Sequence, residues 1–273
     1  MKKNLLLLIV ITIISFQVYG QKGVELGKKG LEVMNEKDYD KALTYFEKAL
    51  KINPNQLNSL YYSGFAYEKK KSYKKAIEFY SKCAELKEFP EVFTRRGTCY
   101  FLIKEDSLAI IDLTKSLELK PENSEAIMQR AGAYRRTGQY EKLLDDLNSH
   151  LQKVPNDFYT KANKATALTM LERYEEANEL FINLTKEKPN EYRLYNGVAD
   201  TYMKMGKLEE ALNSIEKALE INDKYANGYI TKAEILIKMD KKEEACKAFS
   251  KAEKNGFDME EDAAKKLAIK CNE

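Results

Sequence analysis

The sequence predicts an all-α fold: a solenoid of about seven helix pairs closed by a C-terminal capping helix. Three observations predict it. One motif, met first as YDKALTYFEKALKINPN at 39–55, returns as YKKAIEFYSKCAELKE, DSLAIIDLTKSLELKP, YEKLLDDLNSHLQKVP, YEEANELFINLTKEKP and LEEALNSIEKALEIND. Its small residues fall in register at Ala42, Ala76, Ala109, Leu143, Ala177, Ala211 and Ala245, spaced by 34, 33, 34, 34, 34 and 34 residues, and a fixed period of that length marks stacked helical repeats. The 273 residues include no Trp, 12 Gly and 5 Pro, with 33 % charged, so helix formers dominate and breakers are few.

The chain opens MKKNLLLLIVITIISFQVYGQKG, with two lysines, an apolar run from Leu5 to Phe16, and small or neutral residues at Val18 and Gly20. This is the layout of a secretory signal peptide over residues 1–20, cleaved after Gly20. The run is shorter than the roughly 20 residues a helix needs to cross a bilayer; an uncleaved anchor is the alternative. No cysteine precedes Cys83, which leaves no residue for a lipid-modified N-terminus. The mature protein is expected to be exported, periplasmic or secreted, without stable membrane insertion, in a compartment that permits disulfides.

Residues 21–257 carry the repeats, which start near 23, 57, 90, 124, 158, 192 and 226. Four residues after each small residue stands a bulkier one: Phe46, Tyr80, Leu113, Leu147, Phe181, Ile215 and Phe249. Twelve residues before each lies another small one, at Gly30, Gly64, Gly97, Ala131, Ala165, Ala199 and Ala233, so the two helices of a pair can approach closely. Pro54, Pro121, Pro155 and Pro189 follow four of the second helices and end them, since proline cannot continue a helix interior. A basic residue often precedes the small one, as in Lys29, Arg96, Arg130, Lys164 and Lys232, and its stem is expected to lie on the core while its charge reaches water. A helix of about a dozen residues is marginal alone in water; stacking buries the face a single pair leaves exposed. Residues 258–273 supply the cap, with Ala263, Leu267 and Cys271 on one side of MEEDAAKKLAIKCN.

Charge and side-chain chemistry narrow the function. The formal charge is +3, and +1 once Lys2 and Lys3 leave with the signal peptide, so nucleic acid binding has no global electrostatic support. His150 is the only histidine; it falls at a second-helix packing position and reads as structural rather than catalytic. No Gly-rich phosphate loop occurs, and the carboxylates of YEEANE and LEEALN read as solvated outer faces. Most of the 18 tyrosines recur at packing positions. The Asn183-Leu184-Thr185 sequon falls inside a helix. No cofactor, metal or catalytic group is expected.

In these residues the chain resembles the tetratricopeptide repeat (TPR) family. The third repeat shows the pattern as Phe93, Gly97, Tyr100, Ala109, Leu113, Ser116 and Pro121, the sixth as Tyr195, Ala199, Tyr202, Ala211, Ile215 and Ala218; no repeat carries Trp at the first bulky position. The resemblance covers about residues 23–257. It implies a right-handed superhelix whose first helices line a concave groove for a protein or peptide partner. Carried onto this chain, that groove would show Arg95, Thr98, Met128, Gln129, Arg135, Arg136, Asn163, Thr166, Arg193, Asn196 and Asp200. The arginines of repeats three and four read either as solvated helix-end charges or as a site for an acidic partner segment across repeats three to six, anchored by Arg95 and Arg135. The Lys and Asn pattern of chaperone-binding repeats is not matched. The reading is a non-catalytic scaffold of the cell envelope. The alternatives are a structural subunit of an envelope assembly using its convex face, or a helical-repeat enzyme acting on an envelope polymer. The last would need a pair of inward carboxylates, and Asp200 alone stands out on the groove face.

Four cysteines allow three complete pairings. Cys246 adjoins Ala245 and Cys271 lies in the cap helix that packs there, so a Cys246–Cys271 bridge is expected, closing a loop of about 25 residues. Cys83 and Cys99 replace small residues on adjacent helices and read equally as a pair or as two buried thiols.

Overall fold

The structure is a computed structural model that describes residues 20–257. The expected signal peptide up to residue 19 and the capping helix at 258–273, with Cys271, lie outside the described residues. Helix α1 occupies 20–35. It is followed by α2 (Tyr39–Ile52), α3 (Leu57–Lys69), α4 (Tyr73–Leu86), α5 (Pro90–Leu102), α6 (Asp106–Leu119) and α7 (Ser124–Arg136). Then come α8 (Tyr140–Lys153), α9 (Phe158–Met170), α10 (Tyr174–Glu187), α11 (Tyr192–Lys204), α12 (Leu208–Ile221), α13 (Ala226–Lys238) and α14 (Lys242–Lys254). No strand occurs among the described residues, and the fold is the all-α helical-repeat solenoid. The chain divides into two compact units, Met1–Gly138 and Gln139–Glu273.

One device separates the two helices of every repeat, and a second ends the second helix in four of them. Between first and second helix the chain turns through a left-handed residue, at Lys37, Lys71, Lys104, Gly138, Glu172, Gly206 and Asp240, with φ between 58° and 76°. Only two of the seven are glycine, so at the other five a side chain bears the cost of that conformation, about 1 kcal/mol each. After the second helix the residue before proline is extended: Asn53, Lys120, Val154 and Lys188 have φ from −127° to −146°. The proline ring excludes the helical region for the residue ahead of it.

The small and bulky register positions meet. In the first unit Phe46, Tyr80 and Leu113 lie against Gly30, Gly64 and Gly97, where an added Cβ would come within 2.5, 2.7 and 2.8 Å of the respective side chains. Tyr80, Cys83, Val92 and Cys99 are fully buried in one core cluster with Leu60 and Phe93. Cys83 and Cys99 are free thiols; Cys83 Sγ donates to the Leu57 carbonyl at 3.7 Å, and burial pushes both thiols up to about 12. In the second unit Ala199, Ala211, Ile215, Ala218, Ala233, Ile235 and Leu236 belong to one buried cluster. Cys246 on α14 is in disulfide linkage.

Three of the five basic residues ahead of the small positions do not simply reach water, whereas Lys29 is exposed and pairs with Glu25 one turn back on its own helix. Arg96 is bidentate to Asp112, at 2.7 and 2.8 Å, and also donates to Ser81 Oγ. Arg130 donates to Thr114 Oγ1 at 2.9 Å and Lys232 to Glu216 at 2.7 Å. Asp112, Thr114 and Glu216 each lie 16 residues from their cation on a second helix, and Ser81 lies 15 from Arg96, so these cations tie first helices to second helices.

Candidate functional site

The groove candidates lie on the first helices, and each unit presents its own set. In the first unit α5 packs beside α3 and α7. Arg95 leaves α5 over the ring of Phe65, 5.1 Å from its centre. It pairs with Glu68 at 3.0 Å and stands 3.8 Å from Glu125. Burial works to lower the Arg95 pKa, but the charges of Glu68 and Glu125 outweigh it and raise it. The guanidinium is therefore already neutralised by its own chain. Thr98 is buried rather than presented, and its hydroxyl donates to the Thr94 carbonyl one turn back at 2.8 Å. Arg136 stacks on Phe101, 3.5 Å from the ring centre, and pairs with Asp106. Met128 and Gln129 are half-buried on α7, whereas Arg135 is exposed; among the described residues it makes no ion pair or side-chain hydrogen bond.

In the second unit α11 packs beside α9 and α13. Here five of the groove candidates, Asn163, Thr166, Arg193, Asn196 and Asp200, line one cavity of about 270 Å³. Phe181, Leu194 and Gly197 form part of its apolar wall. Thr166 turns its hydroxyl back to the Ala162 carbonyl. Arg193 lies over the Tyr192 ring at 5.5 Å. Asn196 Oδ1 is buried and has no hydrogen-bond partner. Two other orphan oxygens, Gln56 Oε1 and Ser59 Oγ, lie in the first unit against Gly27, away from this cavity. Burial raises the Asp200 carboxyl above the usual range, while the charge of Lys204 works to lower it.

Two acidic residues on these faces went unread in the sequence, Glu68 and Glu234. Glu234 interacts electrostatically with Asp200, and burial followed by that charge raises its pKa, against Lys204 and Lys238. The signal was available: Glu234 stands 34 residues after Asp200, the same register position one repeat on.

His150 packs at the end of α8, 7 % exposed, with Nε2 3.1 Å from Asp157 Oδ2. That carboxylate also accepts from Thr160 Oγ1 at 2.6 Å and from the Tyr159 N–H, so it caps α9. The arrangement is structural. Among the described residues no group of three or more His, Cys, Asp or Glu could hold a metal ion, and no helix is long and apolar enough to cross a membrane.

A larger cavity, about 870 Å³, opens between the second helices α2 and α4 of the first unit. Leu43, Leu50, Leu60 and Phe79 give it an apolar lining, with Tyr67, Lys75 and Lys82 alongside. Tyr67 and Phe79 stack at 5.5 Å, and the ammonium groups of Lys75 and Lys82 lie over those two rings.

Comparison with known proteins places this geometry. Family profiles described as tetratricopeptide repeat match residues 19–56, and 57–89 with 226–254; one for the N-terminal TPR repeats region of Psidin matches 136–227. A TPR repeat-containing protein of Methanocaldococcus jannaschii is 28% identical over 205 residues, 71% of this chain and 36% of that protein. The Hsp70-Hsp90 organizing protein of Triticum aestivum is 23% identical over 72% of this chain and 35% of its own length. The chain thus spans about a third of the length of these curated relatives. Among solved structures, a tetratricopeptide repeat protein from Parabacteroides merdae superposes with a TM-score of 0.65 and 25% identity, covering 93% of this chain and 100% of that one. The C-terminal part of a TPR repeat-containing protein from Cytophaga hutchinsonii gives a TM-score of 0.68 at 16% identity, covering 88% and 98%, a likeness of fold.

Proposed function

Because the chain belongs to the tetratricopeptide repeat family, whose members mediate protein–protein interactions, we propose that it is a non-catalytic scaffold binding a partner protein or peptide along its first-helix faces. The observation that carries this reading is the cavity of the second unit, where five polar residues from α9 and α11 converge and Asn196 Oδ1 lacks a donor. An extended peptide offers such donors along its backbone. In the first unit Arg135, not the internally paired Arg95, is the arginine left for an acidic group of the partner.

The site of action on this reading is the cell envelope. The lysines and apolar run of residues 1–20 and the disulfide at Cys246 fit export to an oxidising compartment. Intact mass of the protein recovered from cells should show loss of residues 1–20; full-length protein held in membranes would contradict it.

The amphipathic cavity between α2 and α4 favours a second reading, an assembly subunit that docks through its second helices. Photo-crosslinking residues placed at Gln129 and Thr166 on first helices, and at Leu43 and Phe79 on second helices, separate the two in envelope extract. Partner adducts at the first pair support the proposal. Adducts confined to the second pair replace it with the assembly reading.

A further inference from the structure

Helix α11 is polarised along its exposed stripe. Arg193 stands in its first turn, Asn196 three residues on and Asp200 four further, a spacing that keeps all three on one side over about 10 Å. Glu234 holds the register position of Asp200 on α13, the helix beside it. The two carboxylates act on each other unfavourably, and burial adds to that cost. Lys204 and Lys238, each one turn beyond a carboxylate on its own helix, act through space; neither forms an ion pair with Asp200 or Glu234 among the described residues. The C-terminal half of α11 is also the negative end of the helix dipole, which favours a cation there.

Asn196 Oδ1 adds an independent demand. A buried acceptor without a donor is costly, and its amide turns about a soft terminal torsion that can bring the oxygen into the cavity. A neutral hydroxyl would satisfy that oxygen but bring the two carboxylates no positive charge beyond the through-space effect of Lys204 and Lys238. An anion would oppose both. A cationic donor answers Asn196 and Asp200 directly, since both line the cavity of about 270 Å³, and relieves Glu234 through the charge it shares with Asp200; that volume holds a guanidinium or ammonium head with part of its stem.

We propose that Asn196, Asp200 and Glu234 form a subsite for a cationic side chain, arginine or lysine, of the bound peptide, with Asn196 Oδ1 accepting one of its N–H groups. The subsite rests on the reading of the first-helix face as a peptide site, and it gives that face a direction: the basic residue of the peptide lies toward the C-terminal end of α11, away from Arg193.

The test is amide NMR of the full chain titrated with N-acetyl-arginine methylamide, N-acetyl-glutamine methylamide and N-acetyl-glutamate methylamide. The arginine probe should shift the side-chain amide of Asn196 and the backbone amides around Asp200 and Glu234, saturating at about tenfold lower concentration than the glutamine probe. The D200N/E234Q variant should lose that preference, and R135Q in the first unit should keep it. Equal affinity for the two probes, a preference that survives D200N/E234Q, or shifts confined to other helices would overturn the proposal. N196D, which adds an inward negative charge, should tighten arginine binding; unchanged or weaker binding counts against the subsite and does not depend on how well D200N/E234Q folds. Partner crosslinks at Thr166 without an arginine preference would remove the subsite and leave the peptide face standing, whereas crosslinks confined to second helices would remove both.

Discussion

Gly64 lies against the ring of Tyr80 so closely that a Cβ on it would stand 2.7 Å from Cε1. The ring has nowhere to go. Tyr80 is fully buried, and its hydroxyl donates to Glu68 Oε2 at 2.8 Å, the same carboxylate that holds Arg95. Overpacking a fixed ring costs about 1–3 kcal/mol. Gly64→Ala should therefore lower the unfolding free energy of the first unit by that amount, read from its urea unfolding curve. An aliphatic side chain at the bulky position tolerates alanine at the small one, as Ile215 and Ala199 share the register within one buried cluster of the second unit, so adding Tyr80→Leu should cost less in the Gly64→Ala background than in the wild type. A Gly64→Ala protein as stable as the parent would show that the ring can move.

The cysteines give a chemical reading of the same cores. Cys83 and Cys99 are buried thiols pushed up to about 12, and the thiolate is the reactive form. In the native protein both should resist alkylation at neutral pH and react fully in denaturant. Non-reducing peptide mapping should place Cys246 and Cys271 in one disulfide-linked pair, which in the chain-entropy model stabilises by roughly 3 kcal/mol. Free alkylation of Cys246 in native, unreduced protein would contradict the pairing.

What could be read from the sequence followed from the period. Small residues at 33- and 34-residue spacing place a bulky residue 16 positions on, and the structure brings Gly30 to Phe46 and Gly97 to Leu113. What could not be read was where charge goes once helices stack. Arg95 looked available because its partners, Glu68 and Glu125, sit 27 and 30 residues away, on neighbouring first helices that only tertiary packing brings close. Arg96 looked solvated, yet it reaches Asp112 at the same 16-residue offset that relates Gly97 to Leu113. Asp200 stands out in the sequence as an acidic groove residue; Glu234, its repeat equivalent 34 residues on, joins it only once α13 packs beside α11. The left-handed turns at Lys37, Lys71, Lys104, Glu172 and Asp240 gave no glycine signal, since the stacked repeats impose a conformation these residues disfavour alone.

Asp157 links helix capping to pH. The hydroxyl of Thr160 holds its carboxyl below the ordinary value of 3.8, with further help from His150 and the N–H groups of Tyr159 and Thr160, against a smaller opposing effect of burial. A folded pKa below the unfolded one means that the unfolded chain takes the proton first on acidification. The stabilisation from Asp157 is therefore complete above about pH 5 and is lost as the pH falls through the ordinary value toward the depressed one. Asp157→Ala should cost about 1–2 kcal/mol at neutral pH, from the lost cap and the lost hydrogen bonds to Thr160 and His150. Urea unfolding of both proteins should show the gap narrowing below about pH 4. A gap that stays constant across that range would mean the carboxylate charge contributes nothing.

Asp200 and Glu234 run the opposite way. Burial is the first cause that raises each carboxyl, and Asp200 adds to the effect on Glu234, while Lys204 opposes both and Lys238 opposes Glu234. The ionisation of these two carboxyls changes the charge of the subsite on acidification. A raised folded pKa makes the ionised form the costly one, so protonation relieves the second unit as the pH falls. Protonation also removes the negative charge that draws a cation. Affinity for N-acetyl-arginine methylamide should thus start to fall on acidification at a pH above the ordinary carboxylate range, while the second unit itself gains stability over the same interval. In D200N/E234Q the affinity should be low and flat with pH, and the stability gain should vanish. Arginine binding that holds constant down to about pH 4 in the wild type would mean that neither carboxylate faces the bound cation.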